Sequence, residues 1–335
     1  MKAKSCAALA TLVLAAAAQV GDPPLATPRP IDGDERVHVG ELSGLDCARC
    51  HAEVAGEWAA TLHAYAWKDA VYQDELAGRR KPQSCHGCHI PQPVHATGLA
   101  QKPVARATDL HLGVTCAACH QGPEGEILGP RGTPTDAHVS RRAESFTGAG
   151  SNALCASCHG TFVGPVLGVA RDFADSARAA AGGSCVECHM AEVERSFALT
   201  PGADGGEAVA APARKGRSHA LQTPRDPAFL RRALGLSARR EGGLAVFELE
   251  NLAGHRVPGL IGRELELEIA LLDAAGAELA RSDLRLDAEA PLSTDERRRV
   301  ELAAGGARLR VRGRHVDPRL AQPVEFLDVE LPLDG

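Results

Sequence analysis

The chain has 335 residues, with 35 glycines, 21 prolines and an aromatic content of only 3%. This length suits about two domains, but so few aromatic side chains leave little material for ordinary hydrophobic cores. The formal net charge of −6 argues against nucleic acid as a main partner, because the sequence has no basic stripe.

Residues 1–20 have the pattern of a secretory signal peptide. Lys2 and Lys4 give a positive start, and Cys6 to Ala18 is an apolar or small run that ends in alanines suited to cleavage. A membrane anchor is the alternative, but a span needs about 20 apolar residues, and this run ends at Gln19. We therefore predict a periplasmic protein with no integral membrane span after signal cleavage.

The remaining chain divides by composition. Residues 21–40 are rich in proline and charge and are predicted to be a linker, as are residues 201–217. Residues 41–200 contain ten of the eleven cysteines. Residues 218–335 have none and are predicted to form a short helix followed by an antiparallel β-sandwich.

Apolar spacing predicts a long helix over 52–76, with Asp69 as its one polar interruption. A second helix is predicted over 170–181. Asp226 and Pro227 predict a short helix, as its cap and first-turn residue. Alternating runs predict five strands, with a loosely ordered tail as the less favoured alternative. These strands cover 244–251, 264–272, 297–302, 307–312 and 324–332.

Five Cys-x-x-Cys-His motifs carry the chemical signal. In this pattern two thiols form thioethers with the vinyl groups of a haem, and the histidine ligates the iron. In order along the chain, the motifs are Cys47/Cys50/His51, Cys85/Cys88/His89, Cys116/Cys119/His120, Cys155/Cys158/His159 and Cys185/Cys188/His189.

Zinc sites and disulfides are the alternatives for paired cysteines, but neither requires a histidine after each second cysteine. Histidine makes up 14 of 335 residues, so five such histidines would arise by chance on the order of once in ten million. We therefore predict five covalently bound haem c groups. The predicted fold class is α+β, with an irregular, mostly α multihaem domain packed around the haems before the β-sandwich.

The spacing of the motifs suggests an internal repeat. Alternate motifs begin about 70 residues apart, as expected for a two-haem unit that occurs twice and then begins a third copy.

The second axial ligands are predicted to be histidines or absent. Methionine is nearly excluded, because Met1 leaves with the signal peptide and Met190 directly follows His189. Nine histidines lie outside the ligand position of the motifs, and His86 and His315 among them are predicted to have no such role. The candidate second ligands are His63, His138, His219, His255 and His95, with His111 and His38 competing for the last place.

Two segments resemble the cytochrome c-554 family of multihaem cytochromes. They are Cys47-Ala-Arg-Cys50-His51 with Trp58 and His63, and Gly113-Val-Thr-Cys116-Ala-Ala-Cys119-His120 with His138. The resemblance implies that His63 is the distal ligand of the third haem and His138 that of the first. It also implies that the haem at His89 can be five-coordinate, unless His95 closes that position.

A second resemblance involves segments from both parts of the chain. The segment from Cys88 to His95 and the Asn251 to Pro258 turn resemble larger multihaem cytochromes that end in a β-sandwich. This resemblance supports an inference about the fold more strongly than one about the function.

Two functions fit this sequence. The first is an electron-transfer relay whose partners are other cytochromes, or a quinol-oxidising or terminal oxidoreductase complex. The second is an oxidoreductase that acts on a small nitrogen or sulfur compound at one five-coordinate haem. The chain has no Cys-x-x-Cys-Lys motif of the pentahaem nitrite reductase type. A weaker reading makes the β-domain a docking module of a larger redox complex.

Mass spectrometry of the mature protein tests the motif assignment. The added mass of five porphyrins should survive denaturation, because thioether bonds are covalent. A mass matching zinc or five disulfides would contradict the prediction.

Overall fold

The computed structural model describes residues 46–162, 168–200, 207–303 and 305–333. The predicted signal peptide, the linker 21–40 and His38 lie outside these ranges.

The N-terminal part consists of short helices joined by turns. The helices are α1 (Ala52–Ala59), α2 (Ala70–Ala77), α3 (Gln83–His89), α4 (Val94–Thr97), α5 (Cys116–His120), α6 (Ser151–His159), α7 (Val169–Ala174), α8 (Ala177–Ala180), α9 (Cys185–His189) and α10 (Pro227–Arg232). Single 3-10 turns cover Asp46–Arg49, Leu110–Leu112, Glu144–Phe146 and Gly148–Gly150. Four of the five motifs lie in helices, and the first motif begins inside the 3-10 turn Asp46–Arg49.

The single helix predicted over 52–76 is wrong, because the structure divides it into α1 and α2. The Thr61 hydroxyl accepts hydrogen bonds from the backbone N–H groups of His63 and Ala64, at 3.2 and 3.3 Å, and stabilises a turn. The Asp69 carboxylate accepts from Val71 N at 3.2 Å and caps α2. Threonine and aspartate compete in this way with continued helix.

The helix predicted over 170–181 is also divided, into α7 and α8. The Ser176 hydroxyl accepts from Ala179 N at 3.1 Å and begins the second segment. By contrast, α10 begins as predicted. Asp226 Oδ1 accepts from Ala228 N and Phe229 N, and Pro227 is the first helical residue.

Three two-stranded sheets accompany the helices. Parallel strands β1 (Ile127–Gly129) and β2 (Ser140–Arg142) follow the third motif. The other two sheets are antiparallel, pairing β3 (Glu192–Arg195) with β6 (Arg214–Arg217) and β4 (Leu199–Thr200) with β5 (Val209–Ala210). The predicted linker 201–217 therefore contains two strands, and residues 201–206 lie outside the described ranges.

The C-terminal part is an antiparallel β-sandwich, as predicted. One sheet has the strand order β10-β9-β12-β13 and the other β11-β8-β7. The strands are β7 (Leu234–Glu241), β8 (Leu244–Asn251), β9 (Glu264–Leu272), β10 (Glu278–Leu286), β11 (Arg297–Leu302), β12 (Arg308–Val316) and β13 (Val324–Pro332). The sequence prediction missed β7 and β10, which carry mainly polar residues on their outer faces.

The two parts differ in hydrophobic core. The sandwich encloses a continuous cluster that includes the fully buried Phe247, Leu249 and Ile269. In the described N-terminal part, the corresponding cluster of buried residues is Ala55, Trp58, Ala64 and Leu112. Such a small cluster cannot hold a region of this length together, so this region needs apolar surface from outside the chain.

A buried ionic network joins the two parts. Arg319 donates to Asp69 Oδ2 from Nη2 at 2.9 Å and from Nε at 3.0 Å. Arg319 also contacts Asp317, which accepts from Arg263 Nε at 2.7 Å. All four side chains are largely buried, so loss of one partner would leave an uncompensated charge.

His315 on β12 is fully buried beside this network, and neither ring nitrogen has a hydrogen-bond partner in the described structure. Burial, together with the nearby Arg263 cation, lowers the pKa of His315 to about 4. The neutral ring is therefore the stable form in the folded protein, whereas the unfolded chain takes up a proton near pH 6.5.

The free energy of unfolding should consequently fall with acidification. The contribution of His315 is complete above about pH 6.5 and is lost as the pH falls towards 4, by at most about 1.4 kcal/mol per pH unit. Thermal unfolding of the haem-loaded protein between pH 4 and 8 measures this slope. His315→Leu should flatten it, and identical slopes would contradict the assignment.

Candidate haem-binding sites

The motif histidines are oriented by hydrogen bonds to the backbone. In four motifs Nδ1 donates to a carbonyl oxygen at 2.6–2.8 Å. The pairs are His51 with Phe197, His89 with Ala66, His120 with Leu128, and His189 with Gln222. A hydrogen bond of this kind fixes the tautomer and leaves the Nε2 lone pair for a metal, as in most metal-ligating histidines.

Three motif histidines face a second histidine. The ring centres are 6.2 Å apart for His159 and His63, 6.1 Å for His120 and His219, and 6.2 Å for His189 and His255. Two nitrogen–metal bonds of about 2.0–2.1 Å, with the distance from each nitrogen to its ring centre, separate two imidazoles by roughly 6 Å. The three pairs therefore have the spacing of ligands on opposite sides of one iron.

The ten motif cysteines are partly buried, and none of them forms a disulfide in the described structure. Sulfur atoms of different motifs lie within contact distance of one another. The contacts join Cys47 to Cys116, Cys88 to Cys158 and Cys155 to Cys185. The attachment points of the first and third, second and fourth, and fourth and fifth motifs are thus adjacent.

Residues 46–121 match the family model Cytochrome c554 and c-prime. The fold is similar to the crystal structure of a penta-heme cytochrome c552 from Thermochromatium tepidum. The alignment has 19% identity and a TM-score of 0.56, and it covers 91% of this chain and 100% of that chain. A DUF3823 family protein from Bacteroides ovatus aligns at 12% identity over 30% of this chain and 53% of that chain. Its TM-score of 0.19 is too low to support an argument. A search of curated proteins found no match.

The predicted resemblance to the cytochrome c-554 family is confirmed over residues 46–121, and the overall fold is similar to that of a penta-heme cytochrome. The first three motifs lie within the matched residues 46–121, and the match supports covalently bound haem c. The described side chains fit that group, since each motif supplies two thiols and an imidazole, and four of those imidazoles present an oriented Nε2. Among the described residues, no three histidine, cysteine or acidic side chains converge as a zinc-type site would require.

The position of His63 differs from the one implied by the family resemblance. That resemblance placed His63 opposite the third motif, but its ring faces His159 of the fourth. The ring of His219 faces His120 of the third motif instead. His63 lies in the turn that the Thr61 hydroxyl stabilises between α1 and α2.

The structure does not bring His138 or His95 opposite a motif histidine. His138 Nδ1 lies 3.1 Å from the Ser140 hydroxyl. His95 on α4 stacks on Phe146 at 5.9 Å, and its buried Nε2 has no partner among the described atoms. The roles of His138 and His95 as second iron ligands therefore remain predictions.

In the described part of the chain, no ring contact pairs His51 or His89 with another histidine. The ring of Tyr72 stacks on His89 instead, with centres 3.5 Å apart. The first and second motifs therefore differ from the other three.

Carboxylates that sequence reasoning missed hold the two C-terminal histidines in place. Glu57 on α1 accepts from the backbone N–H of His219 at 2.7 Å and from Arg195 at 2.7 Å. Burial alone would raise the pKa of Glu57, but these donors and the Ser218 hydroxyl lower it. The carboxylate therefore stays charged where it anchors the His219 segment.

Asp172 on α7 has the same role for the turn that carries His255. It accepts from Arg256 Nε at 2.5 Å and from Nη2 at 2.9 Å, while His255 Nδ1 donates to the Arg256 carbonyl at 2.9 Å. Neither carboxylate could have been found from the motifs, because each lies far along the chain from the histidine it positions.

Substitution of His63 tests the paired geometry. His63→Leu should convert one low-spin haem to high spin, because leucine cannot ligate iron. Electron paramagnetic resonance and visible spectra of the oxidised protein measure this change. His111→Leu is the matched control, because His111 is exposed and makes no histidine pair in the described structure. An unchanged spectrum for His63→Leu would refute the pairing.

Proposed function

We propose that this chain is a periplasmic pentahaem c-type cytochrome that acts as an electron-transfer relay. The observation that carries the proposal is the set of three opposed histidine pairs at 6.1–6.2 Å. Two imidazoles on one iron leave no position for a substrate, so such a site is suited to electron transfer and not to catalysis. We propose His63, His219 and His255 as the second ligands for the fourth, third and fifth motifs.

The count of five follows from the equivalence of the motifs. The fourth and fifth motifs lie beyond the matched residues, yet each has the same two thiols and histidine, and each histidine faces a partner ring. When bound, haem c supplies a one-electron redox centre at each motif. The chain itself sets the ligands, the burial and the neighbouring charges of each centre.

The thiol contacts support an ordered arrangement of these centres. The fourth motif contacts both the second and the fifth through Cys158 and Cys155, whereas the first contacts the third through Cys47. Cys119 of the third motif also lies near Cys155 and Cys158. We infer that the fourth motif is a branch point and that the first motif lies at one end.

Localisation in the periplasm rests on the signal-like residues 1–20 and on the chemistry of haem attachment. None of the helices in the described ranges has the length and hydropathy needed to span a bilayer. Redox proteins are the partners that a relay of this kind requires.

A second candidate function is catalysis on a small nitrogen or sulfur compound. It is favoured by His51 and His89, because neither faces a second histidine in the described structure. An iron with one open face can bind a small ligand, so the first and second motifs are the places where such chemistry could occur.

Spectroscopy and turnover of the intact protein distinguish the two functions. A relay should show reversible reduction by dithionite and reoxidation by ferricyanide, with at least three low-spin haems and no turnover of nitrite or hydroxylamine. A high-spin signal that shifts with cyanide and accompanies steady turnover would favour the enzyme. Haems that cannot be reversibly reduced would refute the relay.

A further inference from the structure

The strands β3 and β6 bring like charges together beside the first motif. Their register places Glu192 opposite Arg217 and Glu194 opposite Lys215, which are favourable pairs, but it also places Arg195 opposite Arg214. Like charges directly across an antiparallel ladder destabilise it. The Arg195–Arg214 pair therefore destabilises this small sheet unless other groups offset the two charges.

Only one of these two arginines is neutralised within the described structure. Arg195 forms an ion pair with Glu57 at 2.7 Å. No described carboxylate lies within ion-pair distance of Arg214. Arg131 approaches the same strand and donates to the Lys215 carbonyl at 2.7 Å. Burial and the cation of Arg131 together lower the pKa of Arg214.

Arg131 and Lys215 are exposed and Arg214 is partly exposed. Lys215 lies 3.6 Å from the exposed Glu192, which partly offsets its charge, whereas neither Arg131 nor Arg214 forms an ion pair within the described ranges. These three residues, Arg131, Arg214 and Lys215, form a positive patch on a chain whose net charge is −6.

Arg214 brings this patch close to the first motif. The guanidinium groups of Arg195 and Arg214 lie 5.1 and 5.5 Å from the centre of the Phe197 ring. The carbonyl of Phe197 accepts from His51 Nδ1 at 2.6 Å. Two residues later, Leu199 N donates to the Cys50 carbonyl at 2.7 Å. A protein bound to the patch would therefore be separated from the first motif by little more than Phe197 and its neighbours. The first motif is the one inferred above to lie at one end of the relay.

We propose that Arg131, Arg214 and Lys215 form the docking surface for the acidic face of a redox protein that exchanges electrons at the first motif. The proposal rests on the proposed relay function. Its physical basis is complementarity, because a local positive patch on a negative protein attracts an acidic partner there and repels it elsewhere. An acidic partner would also supply the counter-charge that Arg214 lacks.

Stopped-flow electron exchange of the haem-loaded protein tests the surface. The probes are an acidic plant-type ferredoxin and a basic mitochondrial-type cytochrome c. The double variant Arg131→Gln/Arg214→Gln should slow exchange with the ferredoxin on the order of tenfold at low ionic strength. It should leave exchange with the basic cytochrome unchanged or faster. The difference should vanish at 1 M salt, where screening extends only about 3 Å.

The double variant Arg310→Gln/Arg312→Gln is the matched control. It removes the same charge from β12 in the sandwich, where Arg310 is partly exposed and Arg312 is exposed. An equal loss of rate in both variants would mean that net charge alone matters, and would overturn the proposal. An unchanged ferredoxin rate with a shifted reduction potential of one haem would assign the arginines to haem carboxylates and overturn it as well.

Two further outcomes separate the remaining explanations. Arginine-dependent binding to phosphatidylcholine vesicles containing phosphatidylglycerol, with an unchanged ferredoxin rate, would make the patch a membrane contact and overturn the proposal. If the unsubstituted protein exchanged electrons with neither probe, the relay function itself would fail. Normal exchange that is insensitive to the arginines would refute only the docking surface.

Discussion

The fold of the N-terminal part depends on hydrogen bonds that hold motif imidazoles against backbone carbonyls elsewhere in the chain. His51 reaches Phe197, and His189 reaches Gln222, so each bond joins segments far apart in sequence. A ring held in this way has one tautomer and one direction, and its free nitrogen points to a fixed place. The short helices that carry the motifs are thereby tied to distant segments of the chain.

This arrangement explains why the region carries so little hydrophobic core. The buried cluster around Trp58 is small, whereas the sandwich has a continuous core of leucine, isoleucine and phenylalanine side chains. Haem is a large, flat and mostly apolar group, and in the proposed protein it would take the place that aromatic side chains fill elsewhere. The low aromatic content and the dispersed short helices thus have one cause.

The sandwich also contributes to the ligand arrangement. The turn after β8 carries His255 to the ring of His189, and Asp172 of α7 holds this turn through Arg256. On another side, Asp69 and Arg319 form a buried ion pair between the two parts. Anchors on both sides restrict how the sandwich can move, so the distance between the two imidazoles is held by the whole interface.

Much of the fold and of the candidate haem-binding sites could be predicted from the sequence. The motifs, the sandwich and three paired histidines all carry local signals in spacing or strand alternation. The partner of each histidine could not be predicted, because it depends on long-range geometry. Thr61 and Asp69 divide a helix that apolar spacing predicted as continuous, and His63, which lies between them, faces His159. Strands β7 and β10 were missed because arginine, glutamate and serine on their outer faces weaken the apolar signal.

The position of His255 has a consequence for biosynthesis. The imidazole opposite His189 comes from a turn that is synthesised after all five motifs, and its supporting arginine follows it directly. In the proposed pentahaem protein, a polypeptide cut short before that turn would keep every motif cysteine but would leave the iron at His189 with one protein ligand. The visible absorption spectrum of the purified protein would therefore distinguish the full-length chain from a truncated one.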